Sequence, residues 1–157
     1  QPRCFGFYEA YGKKFYNAEI EEVCVSTDSM TYKEYQECRS FNLTVEIFVN
    51  DALFYDLIQY LNQKNISAAK FIKNVHEYAI KNSEKIRKLY KDYEEEEKNN
   101  FWSDRKKFEN FLKNPEVIKR YIDGELGTNE IYKYRSIAVF YNMEELHKIV
   151  YEVVISI

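Results

Sequence analysis

Apolar residues along the chain recur with two different periods. Between residues 3 and 25 the spacing is close to two. The aromatic-rich RCFGFYE is followed by a turn signal, YGKK, and by a return, FYNAEIEEVCVS, in which Ala18, Ile20, Glu22 and Cys24 alternate. This pattern predicts a β-hairpin within residues 1–27. A lone hairpin is marginal in water, so its apolar face needs a packing partner, which the pattern allows to lie outside this chain. From residue 28 to 157 the spacing lengthens to three and four, the period of amphipathic helices.

The first helix starts at the corner STDSMTYKEY, residues 26–35. Thr31 and Glu34 form a T-x-x-E capping box, with Met30 and Tyr35 placed as a hydrophobic staple around it. The apolar face then reads Tyr35, Cys38, Phe41, Val45 and Phe48. Asn50 and Asp51 are expected to cap a second helix carrying Leu53, Leu57, Ile58 and Leu61, closed by NQKN. Ser67 opens a third (Ala68, Phe71, Ile72, Val75, Ala79) and Ser83 a fourth (Ile86, Leu89, Tyr90, Tyr93). The run YEEEEKNN, residues 93–100, either continues that helix or breaks it. Ser103 with Asp104 restarts a helix bearing Phe108, Phe111 and Leu112. Pro115 suits the first position of the next, which carries Val117, Ile118, Tyr121 and Ile122 and ends at Gly124. DGELGTNE then leads into IYKYRSIAVFY. Asn142 with Glu145 caps the last segment, whose β-rich tail IVYEVVISI reads as helix or strand. The expected fold is mostly α: an N-terminal β-hairpin followed by a bundle of about six or seven helices, one unit over residues 1–157.

Composition adds one feature to this picture. Fifteen Tyr, eleven Phe and one Trp exceed what a core of 157 residues readily absorbs, and a surplus on one face marks an interface. Charge removes some classes. The net charge is −3 with both signs interspersed, and the one basic run, KNSEKIRKLYK, is followed by EEEE at 94–97, so no nucleic-acid partner is expected. Cys4, Cys24 and Cys38, three in number and spaced by 20 and 14, match no disulfide or metal framework. Cys24 in an alternating strand and Cys38 on a helix face read as buried thiols of a cytoplasmic protein. No apolar run reaches the ~20 residues that span a bilayer, so no membrane partner is expected. Gln1 is not a natural start, which reads as excision from a longer protein or as a mature product.

Motifs of catalysis are absent. VHEY lacks the second histidine of H-E-x-x-H, because Ile80 stands there, and no phosphate-cradling glycine loop occurs. The most suggestive cluster is DGELGTNEIYKYR, residues 123–135. On a helix after Thr128, Glu130, Lys133 and Tyr134 come within one another's reach, and Tyr132 and Arg135 would flank a pocket or partner surface. Glu125, Asn129, Tyr132, Lys133 and Arg135 are therefore the candidate substrate- or partner-contact residues. The competing reading makes Lys133 and Arg135 ordinary surface cations with Tyr134 in the core. No residue is assigned a catalytic or metal-binding role.

Two segments carry a resemblance. EIEEVCVSTDSMTYKEYQECRSFNLTVEIFVND resembles the region that follows the barrel in radical SAM proteins, most of all those with an N-terminal cobalamin-binding domain. GELGTNEIYKYRSIAVFYNMEELHKIVYEV resembles the end of the same C-terminal region, where a G-E-x-G-x-N-x-x-x-K-Y-R pattern recurs. The likeness covers about residues 15–62 and 123–152. It implies a parent enzyme with a [4Fe–4S] cluster, S-adenosylmethionine and, in such members, cobalamin. The C-x-x-x-C-x-x-C cluster motif is not in this chain, and Cys4, Cys24 and Cys38 do not replace it at their spacings. What the resemblance implies for these residues is a non-catalytic accessory domain without a cofactor of its own, whose partner is the parent's barrel; the alternative is a freestanding helical interaction module.

Overall fold

The computed structural model describes residues 1–157. Strands β1 (Pro2–Ala10) and β2 (Lys13–Ile20) pair antiparallel, with Phe7 opposite Tyr16 and Tyr8 opposite Phe15. Tyr11 and Gly12 form the two-residue turn, both at positive φ, which matches the twist of the flanking strands. The alternation beyond Ile20 is not a strand. Glu21 still bonds across the hairpin, its N–H donating to the Gln1 carbonyl at 2.9 Å, and residues 22–26 then leave the sheet; the Cys24 thiol, exposed, turns to the Ser26 carbonyl at 3.3 Å. An isolated bridge between Thr27 and Met30 closes the corner into the helices.

Eight α-helices follow: α1 (Tyr32–Val45), α2 (Tyr55–Gln63), α3 (Ala68–Asn82), α4 (Glu84–Asn100), α5 (Arg105–Leu112), α6 (Pro115–Ile122), α7 (Glu130–Tyr141) and α8 (Met143–Ile155). The mostly α expectation holds, with one or two more helices than the sequence pattern predicts. Local start signals explain most of them. Thr31 and Glu34 form the reciprocal capping box on α1, while Ser67, Ser83, Asp104 and Asn114 cap α3, α4, α5 and α6, with Pro115 at the start of α6. The acidic run 93–100 continues α4, and the β-rich C-terminal run is helical.

Two expectations fail at the end of α1. Asn50 and Asp51 do not cap α2. The helix runs on into a π turn, Glu46–Asn50, where Asn50 donates to Glu46 and Asp51 pairs with Arg135; α2 begins later, without a side-chain cap. The buried stripe of α1 and the π turn is Ser40, Leu43, Thr44, Ile47 and Phe48, which puts Cys38 on the outer face and leaves Phe41 part-exposed. All three cysteines are free and exposed, so the expectation of buried thiols is corrected.

The buried side chains form two groups. Twenty residues from α1 to α4, α7 and α8 make one core, with Phe48, Phe71, Ile86, Tyr93 and Leu146 fully enclosed. A smaller group lies under the hairpin, where Phe108 of α5 and Val117, Ile118 and Tyr121 of α6 are buried outside that core. Phe5 of β1 packs on Tyr121 with ring centroids 5.3 Å apart, and Trp102 stacks on Phe108 at 5.1 Å. The hairpin thus finds part of its packing partner within the chain. It keeps Phe7, Tyr8, Phe15 and Tyr16 exposed.

Candidate functional site: a cleft between the hairpin and the helical bundle

A half-open cleft of about 440 Å³ separates the two packing groups. Its walls come from the hairpin base (Arg3, Glu21), from α1 (Tyr35, Arg39), from the end of α4 (Glu97, Asn100) and from the start of α7 (Asn129, Glu130). A second hollow of about 470 Å³ shares Glu21, Val23 and Phe101 with it and is lined by Tyr32, Val25 and Trp102. The combined opening is polar at the α7 end and aromatic at the α5 end.

The polar end is built around an ion pair. Arg39 Nε donates to Glu97 Oε1 at 2.5 Å, with the Glu97 side chain only 8 % exposed. Tyr93 donates to the same carboxylate at 3.4 Å. Burial and the neighbouring Glu97 charge push the Tyr93 phenol well above its ordinary range, and Tyr35 is raised by the same two causes. Glu130 accepts a hydrogen bond from Asn100 Nδ2. Its carboxyl is held above the usual carboxylate value by burial first, and then by the charges of Glu96 and Glu97. No cation lies within ion-pair distance of Glu130, although Glu97 next to it has Arg39 and Glu96 has Lys133 at 2.6 Å.

The candidate residues of the sequence fare differently from one another. Asn129 sits at the N-cap position of α7 without using its side chain as a cap, and it lines the cleft. Glu125 is outside, exposed and paired with Arg120 at 3.1 Å. Lys133 and Tyr134 both hold Glu96 and so tie α7 to α4. Arg135 pairs with Asp51 at 3.1 Å and Glu46 at 3.7 Å, and its guanidinium lies 4.9 Å over the Tyr132 ring. Glu125, Tyr132, Lys133 and Arg135 are thus engaged in separate surface contacts and do not converge on one pocket.

Arg39, Glu97, Tyr35 and Asn100 were not among the expected site residues. A signal for two of them is present in the pattern. Glu97 continues the buried stripe of Ile86, Tyr90 and Tyr93 at helical spacing, and Arg39 precedes Leu43 and Ile47 on theirs. A charge on an apolar stripe needs a partner, and these two are each other's.

No group of three His, Cys, Asp or Glu side chains is placed to hold a metal ion, and the cysteines lie apart on β1, the 21–31 segment and α1. No helix is long and apolar enough to cross a membrane. No family model, curated protein or solved structure matches the chain.

Proposed function

We propose that this chain is the accessory helical region that follows the barrel of a radical SAM enzyme, without catalytic activity of its own, and that it caps or shapes the active site the barrel carries. One observation supports the reading most. The two segments that resemble that region, about residues 15–62 and 123–152, are separated by some 60 residues of sequence, and they meet at one cleft: Glu21, Val23, Tyr35 and Arg39 come from the first, Gly127, Thr128, Asn129 and Glu130 from the second. Two segments with a shared role are expected to share a site, and their meeting at one cleft supports the reading.

The hairpin supports the same reading from another side. Aromatic pairs stand on both of its faces, Phe7 with Tyr16 and Tyr8 with Phe15, and all four are exposed. Exposed aromatic surface of this kind suits docking against a second folded body. On this reading the [4Fe–4S] cluster, S-adenosylmethionine and any cobalamin are bound by the rest of the polypeptide. A freestanding interaction module is the second reading, in which the same hairpin takes a separate protein.

The two are separated by expressing the complete reading frame anaerobically, reconstituting it with iron and sulfide, and comparing it with residues 1–157 alone. The proposal expects a cluster spectrum and cleavage of S-adenosylmethionine from the complete polypeptide and neither from the isolated chain. A complete polypeptide that takes up no cluster would overturn it in favour of the interaction module.

A further inference from the structure

The ladder of the hairpin ends with one strand overhanging the other. Glu21 donates its N–H to the Gln1 carbonyl at 2.9 Å and accepts from the Gln1 nitrogen at 3.1 Å, so Gln1 and Glu21 form a hydrogen-bonded antiparallel pair. The residues after Glu21 keep the character of a strand. Burial alternates without a break: Val23 and Val25 are half-buried, and Glu22, Cys24 and Ser26 are exposed. Val23 and Val25, both β-branched, line the aromatic end of the opening with Tyr32, Phe101 and Trp102. The backbone of this segment has no partner, because none of residues 22–26 makes a hydrogen bond to another backbone group. Continued regularly, the ladder turns the N–H and C=O of Val23 and Val25 to the same side as those of Glu21, the side on which β1 runs. Pro2 suits a strand at the edge of such a ribbon. It stands opposite Ile20, one step from the Gln1–Glu21 pair, where its missing N–H costs no bond to β2.

We propose that the polypeptide preceding Gln1 continues β1 and pairs antiparallel with residues 22–26. The residue two before Gln1 then faces Val23, and the residue four before it faces Val25, each through a pair of backbone hydrogen bonds. That such polypeptide exists rests on the function proposed above; the register follows from the Gln1–Glu21 pair. A separate strand on that side would abut the Gln1 nitrogen end to end, whereas covalent continuation places one there without the cost of association. The added strand runs past the cleft that Gln1, Glu21 and Val23 share, and it makes the junction with the preceding polypeptide a paired ribbon in place of a flexible linker.

Hydrogen–deuterium exchange resolved to single amides tests this in the complete polypeptide. Val23 and Val25 are expected to exchange more slowly than Glu22 and Cys24 by about tenfold or more, because the N–H groups of Glu22 and Cys24 point away from the added strand. In residues 1–157 alone all four are expected to exchange fast. Proline placed two residues before Gln1 removes the N–H that donates to the Val23 carbonyl, and is expected to return Val23 and Val25 to fast exchange. Proline three residues before Gln1 lacks only an outward N–H, as Pro2 does, and is expected to leave them slow. Fast exchange at Val23 and Val25 in the complete polypeptide, slow exchange at all four amides, equal effects of the two prolines, or a mature protein that begins at Gln1 would overturn the strand. Protection already present in residues 1–157 and lost on dilution would assign the place to a second copy and overturn the covalent occupant. A complete polypeptide that takes up no iron–sulfur cluster yet shows the alternating protection would overturn the function proposed above and leave the strand standing.

Discussion

Single residues decide how the hairpin group is joined to the bundle. Gly127 stands at φ +63 in the loop before α7, and a Cβ there would meet the Tyr121 ring at 2.7 Å. Both the left-handed backbone and the close approach require glycine. Because Tyr121 supports Phe5, the strain of G127A reaches the hairpin as well as the loop. We expect G127A to lower stability by about 1–3 kcal/mol, read from the urea midpoint, since overpacking and backbone strain act together. The Arg39–Glu97 pair is the second decisive contact. E97A leaves a part-buried guanidinium without its carboxylate and is expected to cost about 2–3 kcal/mol, below the fully buried limit because Arg39 keeps some solvent. The double variant R39M/E97A is expected to be more stable than E97A alone, because the uncompensated charge is gone. Equal losses in the two would show that Arg39 left without its carboxylate carries no penalty.

At the scale of elements, α1, α3 and α4 meet at a hydrogen-bonded chain of three side chains. Tyr90 OH lies 2.5 Å from Thr44 Oγ1, which lies 2.7 Å from His76 Nδ1. His76 is held between the rings of Phe41 and Tyr90, and its only charged neighbour of consequence is Glu77 on its own helix. Burial lowers its pKa below the ordinary 6.5, partly opposed by Glu77. The unfolded chain therefore binds this proton more readily than the folded one. The stabilising contribution is intact above pH 6.5 and declines as the pH falls from there through the folded value. Stability measured from pH 8 to 5 is expected to drop across that window in the native chain and to drop less in H76Q. Identical profiles would remove His76 from the account.

The same helices show which features the sequence makes legible. Caps at Thr31, Ser67, Ser83 and Asp104 are readable because each is satisfied within three residues, by groups the sequence itself supplies. The turn at Tyr11–Gly12 is readable for the same reason. Asn50 and Asp51 mislead because their partners are tertiary or belong to the π turn, which has no local pattern of its own. Cys24 and Cys38 mislead because exposure depends on where the sheet ends and on the rotation of α1, set by what α1 packs against. Of the expected contact residues, Asn129 reaches the cleft, while Glu125, Tyr132, Lys133 and Arg135 are claimed by Arg120, by Glu96, by Asp51 and by one another. Spacing along one helix shows which residues are neighbours. It does not show which are already engaged by another helix.

At the scale of the whole molecule, the aromatic surplus divides unevenly. Tyr93, Phe48, Phe71 and Phe108 are fully buried, whereas the hairpin displays Phe7, Tyr8, Phe15 and Tyr16. The second face, Tyr8 and Phe15, lies opposite the side that Phe5 turns to α6. Replacing exposed side chains that face only each other across the hairpin removes little more than one cross-strand pair, so Y8S/F15S is expected to fold within about 1 kcal/mol of the native chain. A loss larger than that would show that these rings stabilise the isolated fold and are not a docking surface.

On the proposed function, the hairpin and the cleft beside it are a face covered by the rest of the polypeptide. Hydrogen–deuterium exchange of residues 1–157 alone, compared with the same residues in the complete polypeptide, tests it most directly. Backbone amides of residues 7–16, and those of 127–130 at the cleft, are expected to exchange fast in the isolated chain and to slow by at least tenfold in the complete polypeptide, while the bundle core is protected equally in both. Equal exchange at the hairpin and cleft in the two forms would contradict it.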